Sequence, residues 1–108
     1  VALDLDNNKL YFSKNGTFQN SGVPTSGATG TGAISINAAS TAQIGVYLPA
    51  FSDYGSTQTA DVDFNFGNGY FGTTAITSAG VNAGSGLFEY DVPSGYLALN
   101  TKNIATYG

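Results

Sequence analysis

Acidic side chains two residues apart near the start of the chain are the first candidates for chemistry. Asp4 and Asp6, followed by Asn7 and Asn8, present the carboxylate and amide oxygens that calcium takes as ligands. The sequence lacks the Gly at the sixth position and the closing Glu that complete an EF-hand loop. The simpler interpretation is that these four residues are polar side chains of a strand and its turn, so no metal site is predicted.

A second acidic pair, Asp61 and Asp63, has the spacing of carboxylates on one strand face. General acid–base catalysis by such a pair requires one carboxyl group to be desolvated and the other ionised. Strict alternation instead places both on the face opposite Val62, Phe64 and Phe66, and therefore in solvent. The remaining acidic residues show no pairing across a cleft. No catalytic residue is predicted, and the chain is not expected to be an enzyme.

The composition excludes several other chemistries. The 108-residue chain has no Cys, His, Met or Trp, so imidazole bases, thiolate nucleophiles, Cys/His zinc sites and haem or iron–sulfur ligation are not available to it. Lys and Arg together number 3 and the net charge is −4, which is incompatible with a basic stripe for phosphates. No stretch approaches the ~18 apolar residues of a membrane span. We therefore expect no cofactor, no nucleic acid and no membrane span.

Aromatic residues next to glycine in the predicted loops are the remaining binding candidates. The segments 53–55 and 68–71 each combine an aromatic ring, a Gly and an oxygen-bearing neighbour. That combination suits sugar stacking with hydrogen bonding, or contact with a neighbouring subunit. We predict Tyr54 and Tyr70 as the contact residues; the alternative is that both tyrosines cap the end of the core. The other members of this predicted site are Asp53 and Asn68, and Phe51 and Phe71 are further rings that could join a stacking surface.

Period-2 alternation dominates the chain and indicates the β-strands that must position these residues. Residues 1–14 are predicted to form a hairpin that turns at 6–8, and Asn15-Gly16 is a second hairpin signal. That turn also accounts for the match of Asn15-Gly16-Thr17 to a glycosylation sequon. No helix is predicted. Further strands are expected at 33–37, 44–52, 61–66, 87–92 and 96–99, with a turn at Pro93-Ser94-Gly95. Two long loops are expected at 19–33 and 67–86, and a shorter loop at 53–60.

Short strands joined by Gly, Asn and Pro turns indicate an all-β fold, an antiparallel β-sandwich or jelly roll. The strands are few for a free-standing two-sheet sandwich, and the long loops take up much of the chain. Residues 1–108 are therefore interpreted as a single partial domain, completed by residues or chains not included in this sequence. The core is expected to contain Leu3, Leu5, Leu10, Phe12, Val46, Leu48, Val62, Phe64 and Phe66.

Four segments, in the right order, resemble motifs of the SPRY domain. The run VALDLDNNKLYFSKNGTF at 1–18 is similar to the central hairpin of that family, and YLPAFS at 47–52 is similar to a later strand. DVDFNFG at 61–67, followed by Tyr70-Phe71, resembles a third motif. YDVPSGYLALNTKNI at 90–104 is similar to the tail that bacteriophage versions of the domain carry. The match extends over nearly the whole chain but covers only the C-terminal half of a SPRY domain.

The resemblance implies a bent two-sheet β-sandwich, related in shape to concanavalin-type lectins, whose first strands would precede Val1. It also implies that Phe71 belongs to the core. Phe18 and Tyr47 stand where the family often has Trp, and Leu97 stands where the tail usually has a basic residue. These departures keep the packing but weaken the inference of a preserved ligand pocket.

The resemblance, together with the Lys-poor and Thr/Ser/Asn/Gly-rich composition, leads us to expect a non-catalytic structural module of a bacteriophage virion. A capsid decoration, a head fibre and a tail fibre are the roles considered, and the lack of Cys fits assembly in a reducing host cytoplasm. The alternative is an extracellular adhesion module that binds glycan or peptide. Expected partners are other virion proteins or copies of the chain in a homo-oligomer or lattice, and, in the alternative, a host-surface glycan.

Overall fold

The structure is a computed structural model in which residues 1–55, 57, 59–76 and 84–108 are described. Within these residues the regular structure is mainly β and consists of small sheets of antiparallel strands. The expectation of a mainly β fold is confirmed at this level. The elements in chain order are β1 (Ala2–Asp4), β2 (Lys9–Tyr11), β3 (Ser13–Lys14), β4 (Thr17–Phe18), β5 (Ile34–Ser35), β6 (Tyr70–Phe71), β7 (Thr74–Ala75) and α1 (Thr101–Tyr107), with 3-10 turns at Gln19–Ser21, Pro24–Thr29 and Ala39–Thr41.

The predicted N-terminal hairpin is present and belongs to a three-stranded sheet in the order β1-β2-β5. Leu3 lies opposite Leu10 in the antiparallel register of β1 and β2. Asn8 turns the chain between them with a φ of 56°, a left-handed conformation that Asn tolerates better than most residues. β5 pairs antiparallel with β2 and confirms that a strand lies within 33–37.

The second hairpin joins β3 to β4 through the predicted Asn15-Gly16 turn. Asn15 and Gly16 have φ values of 50° and 77°, as the two central positions of a type I′ turn require. Gly16 also lies close to another segment. A Cβ atom at this position would lie 2.6 Å from Cδ1 of Tyr90, so the turn can pack against that ring only without a side chain.

The core forms on the opposite face of the first hairpin from the one expected. Tyr11 is 2% exposed, and Ala2, its cross-strand partner, is also buried. The ring of Phe18 packs edge-on against Tyr11 with centroids 6.3 Å apart, and Pro24 is buried. Because side chains alternate along a strand, placing Ala2 and Tyr11 inside turns their neighbours outward. The expected core residues that are exposed instead are Leu3, Leu5 and Phe12, whereas Leu10 is half-buried.

The two segments with the longest predicted strands do not join a sheet. Within the described residues, neither 44–52 nor 61–66 has a ladder partner, so the strands expected there are absent. Alternating apolar and polar residues give a strand one apolar face, but that face is buried only where another layer of structure covers it. The expected core residues left exposed along these segments are Val46, Leu48, Val62, Phe64 and Phe66.

The strands expected at 87–92 and 96–99 are also absent from the described part of the chain. The turn between them is present, because the Tyr96 N–H donates to the Pro93 carbonyl at 3.0 Å. Ala98, after this turn, is buried. The turn prediction is therefore confirmed and the two strand predictions are wrong.

The chain ends in the helix α1, so the expectation that there is no helix is wrong. Asn100 is its N-cap, and Oδ1 of Asn100 accepts a hydrogen bond from the Asn103 N–H at 2.9 Å. Asn103 is buried and donates from Nδ2 to the Ala98 carbonyl at 2.9 Å. Asn100 also donates from Nδ2 to the Ser85 carbonyl at 2.9 Å. A helix of 7 residues is too short to be stable alone, so its cap and the bond from Asn100 to Ser85 hold it in place.

Both long loops contain short regular elements. The loop at 19–33 carries two of the 3-10 turns, and the loop at 67–86 contains the β6–β7 hairpin. Ile76, which lies in that second loop, is buried. Residues 77–83 of this loop, and residues 56 and 58 of the loop at 53–60, lie outside the described residues.

Candidate functional site

Asn68 and Tyr70, two of the predicted site residues, follow a turn organised by the side chain of Asn65. Oδ1 of Asn65 accepts hydrogen bonds from the N–H groups of Gly67 at 2.7 Å and Asn68 at 3.0 Å. Its Nδ2 donates to the Leu87 carbonyl at 3.1 Å. Oδ1 of Asn68 in turn accepts from the Tyr70 N–H at 3.2 Å. The amide oxygen of Asn68 therefore shapes the backbone before β6, as Asn side chains do in tight turns.

The hairpin that follows presents Tyr70 to solvent. Tyr70 lies opposite Ala75 in the β6–β7 pair, and 54% of its side chain is exposed. Phe71, which the family resemblance places in the core, is also about half exposed. Its ring packs edge-on against Tyr90 with centroids 5.9 Å apart. The expectation of a buried Phe71 is therefore wrong, because one neighbouring ring covers it and no second sheet does so among the described residues.

Tyr54, the other predicted contact residue, is fully exposed. Its neighbour Asp53 is exposed, and the nearby Phe51 is about half exposed. Among the described residues, no hydrogen bond or ring contact joins Tyr54 to Tyr70. The structure thus presents two separate aromatic side chains, each available to a partner. Their roles stay predictions.

The acidic residues near the N-terminus serve the first turn. Asp4 accepts from the Asn7 backbone N–H at Oδ1 and from the Asn7 Nδ2 at Oδ2, both at 2.9 Å. The other pair, Asp61 and Asp63, is exposed. In the described part of the chain, no group of three or more His, Cys, Asp or Glu side chains is arranged to hold a metal ion. The strand-and-turn interpretation of Asp4 is the one that the hydrogen bonds support.

A cleft that the sequence analysis did not anticipate lies between the first hairpin, the 3-10 segment Pro24–Thr29 and the turn at 93–97. We refer to it as the hairpin cleft; its volume is about 420 Å³. The hydroxyl of Tyr96 donates to the Pro24 carbonyl at 2.9 Å and ties the last two segments together. The lining residues that determine its chemistry are Leu3, Asp4, Leu5, Asp6, Pro24 and Leu97.

The hairpin cleft has a negative electrostatic character. Burial raises the pKa of Tyr96 to about 12, and the negative charge of Asp4 contributes to the rise, followed by Tyr11. A carboxylate close to a phenol disfavours the phenolate in this way. No Lys or Arg is present among the described residues that line the cleft. Sequence reasoning missed the site because Tyr96 and Pro24 are 72 positions apart and neither is unusual locally.

A second, apolar depression lies between Pro49, Phe64, Phe66 and Leu99, and we call it the aromatic depression; its volume is about 440 Å³. The rings of Phe64 and Phe66 stack at its edge, with centroids 5.9 Å apart and planes 14° from parallel. This pairing shields part of each ring, but Phe64 is still 51% exposed. Phe64 and Phe66, which the strand alternation predicted to lie in the core, therefore form part of an exposed apolar surface.

Comparisons of the chain with protein-family models, with curated proteins and with solved structures found no significant match. No α-helix among the described residues has the length and apolar character needed to cross a bilayer.

Proposed function

We propose that the chain is a non-catalytic structural module of a virus particle, such as a capsid decoration, a head fibre or a tail fibre of a bacteriophage. The observation that carries the proposal is the exposed apolar surface of the aromatic depression and of the segment 44–52. Leu48 is 71% exposed and Phe64 51%. Contiguous apolar surfaces of this kind mark sites of protein association. The resemblance of the tail at 90–104 to bacteriophage SPRY domains supports the choice of a virion.

The same surface supports a finer proposal about the fold. Alternating segments at 44–52 and 61–66 suit strands of an antiparallel β-sandwich or jelly roll that a second layer covers. In the proposal that layer comes from neighbouring protein, either virion proteins or copies of the chain in an oligomer or lattice. The module would then acquire its full core on assembly, because the exposed side chains become buried only there.

Labelling of particles tests the virion proposal. Antibodies raised against the chain should detect it in purified particles from the source culture and should decorate those particles in electron micrographs. Pre-incubation of the antibody with the purified chain is the control and should abolish the labelling. Detection only in the particle-free fraction would overturn the proposal.

A second candidate function, adhesion to a glycan or peptide outside the cell, is favoured by the exposure of Tyr54 and Tyr70. Exposed tyrosines can stack on sugar rings and donate a hydrogen bond from the same side chain. Asp53 directly precedes Tyr54, and Asn68 lies two residues before Tyr70. In this proposal the two aromatic sites contact a host-surface ligand, and the apolar surface attaches the module to the rest of the particle.

Substitution of both tyrosines tests the adhesion role. The double variant Tyr54→Ala with Tyr70→Ala should melt within a few degrees of the wild type, because an exposed side chain contributes little to stability. Its attachment to host cells, or its binding on a glycan array, should fall at least about tenfold. Tyr107→Ala is the matched control, since Tyr107 is an exposed tyrosine on α1. Unchanged attachment with a lowered melting temperature would mean that the tyrosines only cap the core.

A further inference from the structure

Two Asn-Gly dipeptides occur in the sequence, Asn15-Gly16 and Asn68-Gly69, and the fold gives them different surroundings. In such a dipeptide the backbone nitrogen of the glycine can attack the preceding side-chain amide, because glycine has no side chain that obstructs the approach. Asn is accordingly among the residues that hyperthermophilic proteins use sparingly. Since the two dipeptides are identical, their surroundings decide which of them reacts in the folded chain.

Asn15-Gly16 is open to solvent and is held by few bonds. Both residues are exposed at the tip of the β3–β4 hairpin. Among the described residues, neither the side-chain amide of Asn15 nor the backbone N–H of Gly16 has a hydrogen-bond partner. The flanking strands are only 2 residues long each, so local opening of this tip breaks few interactions.

Asn68-Gly69, by contrast, is buried in part and hydrogen-bonded throughout. Gly69 is buried, so its nitrogen is shielded from base. Oδ1 of Asn68 accepts from the Tyr70 N–H at 3.2 Å, and the Asn68 N–H donates to Oδ1 of Asn65 at 3.0 Å. The Gly69 carbonyl accepts from the Ile76 N–H at 2.8 Å. Attack on the side chain of Asn68 would require these bonds to open first.

We propose that Asn15 is a site of spontaneous deamidation in the folded chain. Base removes the N–H proton of Gly16 as the turn opens, and the nitrogen forms a bond to Cγ of Asn15. The Cγ–Nδ2 bond breaks, and ammonia leaves after its nitrogen takes up a proton from water, so a five-membered succinimide results. Water then adds to one of the two succinimide carbonyls and opens the ring. The product at position 15 is an aspartate or an isoaspartate, and each carries one new negative charge.

The two products have different effects on the hairpin. Aspartate keeps the length of the backbone and tolerates the left-handed φ of 50° found at Asn15. Isoaspartate routes the backbone through the side chain, which adds a methylene group to a two-residue turn whose geometry is narrowly defined.

The turn at Asn15-Gly16 supports a second contact through Tyr90. A Cβ atom at Gly16 would lie 2.6 Å from Cδ1 of Tyr90, and the ring of Tyr90 packs edge-on against Phe71 with centroids 5.9 Å apart. Isoaspartate at position 15 therefore displaces Gly16 from Tyr90 and loosens the cover of Phe71. The chain thus carries an age-dependent change in this contact. The inference does not depend on the proposed function, because it concerns the covalent chemistry of the hairpin alone.

Incubation of the full chain in oxygen-18-labelled water, followed by mass spectrometry of its proteolytic peptides, tests the site. The label should enter position 15 and enter faster at alkaline pH, since the attacking nitrogen is deprotonated. Asn68 is the internal control and should react at least about tenfold more slowly, because buried, bonded segments open less often. In the urea-unfolded chain the two rates should agree within about threefold. Equal rates in the folded chain, or no label at position 15, would overturn the proposal.

The isolated isoaspartate form tests the effect on the fold. Amide hydrogen exchange of 13–18 should be at least about tenfold faster than in the unreacted chain, because the hairpin opens more often. The ring signals of Tyr90 and Phe71 should shift in NMR spectra. Asn15→Asp, which matches the other product, is the control and should keep the exchange rates and ring signals of the wild type. An isoaspartate form that behaves as the wild type does would contradict the link between this turn and Tyr90.

Discussion

At the scale of single residues, Tyr96 links more distant parts of the chain than its sequence context suggests. Its hydroxyl reaches Pro24, and its ring lies in the hairpin cleft near Asp4. The raised pKa, about 12, means that the folded state keeps the phenol neutral at a pH where the unfolded chain has begun to ionise. This residue therefore couples the charge of the cleft to the stability of the fold.

Alkaline unfolding of Tyr96→Phe tests that coupling. A group whose pKa is raised on folding contributes stability below its unfolded pKa of 10 and loses that contribution as the pH rises through about 12. The wild type should therefore lose stability between about pH 10 and 12, and Tyr96→Phe should lose less over the same range. Chemical denaturation at several pH values measures the difference. Tyr107→Phe, which changes an exposed tyrosine, is the control and should follow the wild type.

At neutral pH, Tyr96→Phe should also be less stable than the wild type by about 1 kcal/mol, the usual net contribution of a hydrogen bond. The Pro24 carbonyl would lose its donor, and Pro24 is buried. A variant as stable as the wild type at every pH would contradict the bond between the two segments.

At the scale of secondary-structure elements, the helix α1 depends on its cap and on the polar contacts around it. Asn100 accepts from the Asn103 N–H and donates to the Ser85 carbonyl, so one side chain both starts the helix and attaches it to another segment. Ser85 Oγ lies 3.1 Å from Oδ1 of both asparagines. The helix thus forms where these three side chains meet.

Substitution of the cap should therefore unfold this element before the rest. Asn100→Ala should destabilise the chain by about 1–2 kcal/mol, because it removes the cap and also the bond to Ser85. Thr106→Ala is a matched control in the same helix, since the Thr106 hydroxyl donates to the carbonyl of Lys102, an exposed residue of the same helix. Thermal unfolding and amide hydrogen exchange of 101–107 measure the effect. Equal protection of these amides in Asn100→Ala and in the wild type would contradict the role of the cap.

At the scale of the whole molecule, the exposed apolar surface around Phe64 is the feature on which the proposed association with other protein depends. Phe64 stacks on Phe66 and is half exposed, so a large part of its apolar area is available to a partner. Complete burial of a phenylalanine would make its truncation cost about 3–5 kcal/mol. Half burial with one stacked neighbour lowers that cost to about 1–2 kcal/mol in the isolated chain.

Phe64→Ala should consequently affect assembly more than stability. Denaturant unfolding of the isolated variant should show a loss of about 1–2 kcal/mol, whereas sedimentation analysis should show association at least about tenfold weaker than in the wild type. Phe12→Ala is the control, because Phe12 is similarly exposed but does not line the aromatic depression. A wild-type chain that stays a single monomeric species at about 100 μM would contradict self-association.

The sequence alone was sufficient to predict the first two hairpins and the turn at 93–95. Asn15-Gly16 predicts a two-residue turn because both positions need positive φ, a requirement that acts within the turn itself. The turn at Pro93-Ser94-Gly95 and the pairing of β1 with β2 follow from equally local preferences. Composition likewise excluded imidazole and thiolate chemistry without reference to any fold.

Tertiary structure decided which faces are covered and which residues meet. Alternation shows that a strand has two faces, but only the packing of Phe18 on Tyr11 selects the inner one. The hairpin cleft and the attachment of α1 also depend on contacts between residues that are far apart in the sequence. Tyr96 meets Pro24, and Asn100 meets Ser85, across stretches of chain that local preferences do not relate. Local preferences act over a few residues, whereas burial and hydrogen bonding depend on whatever lies opposite in space.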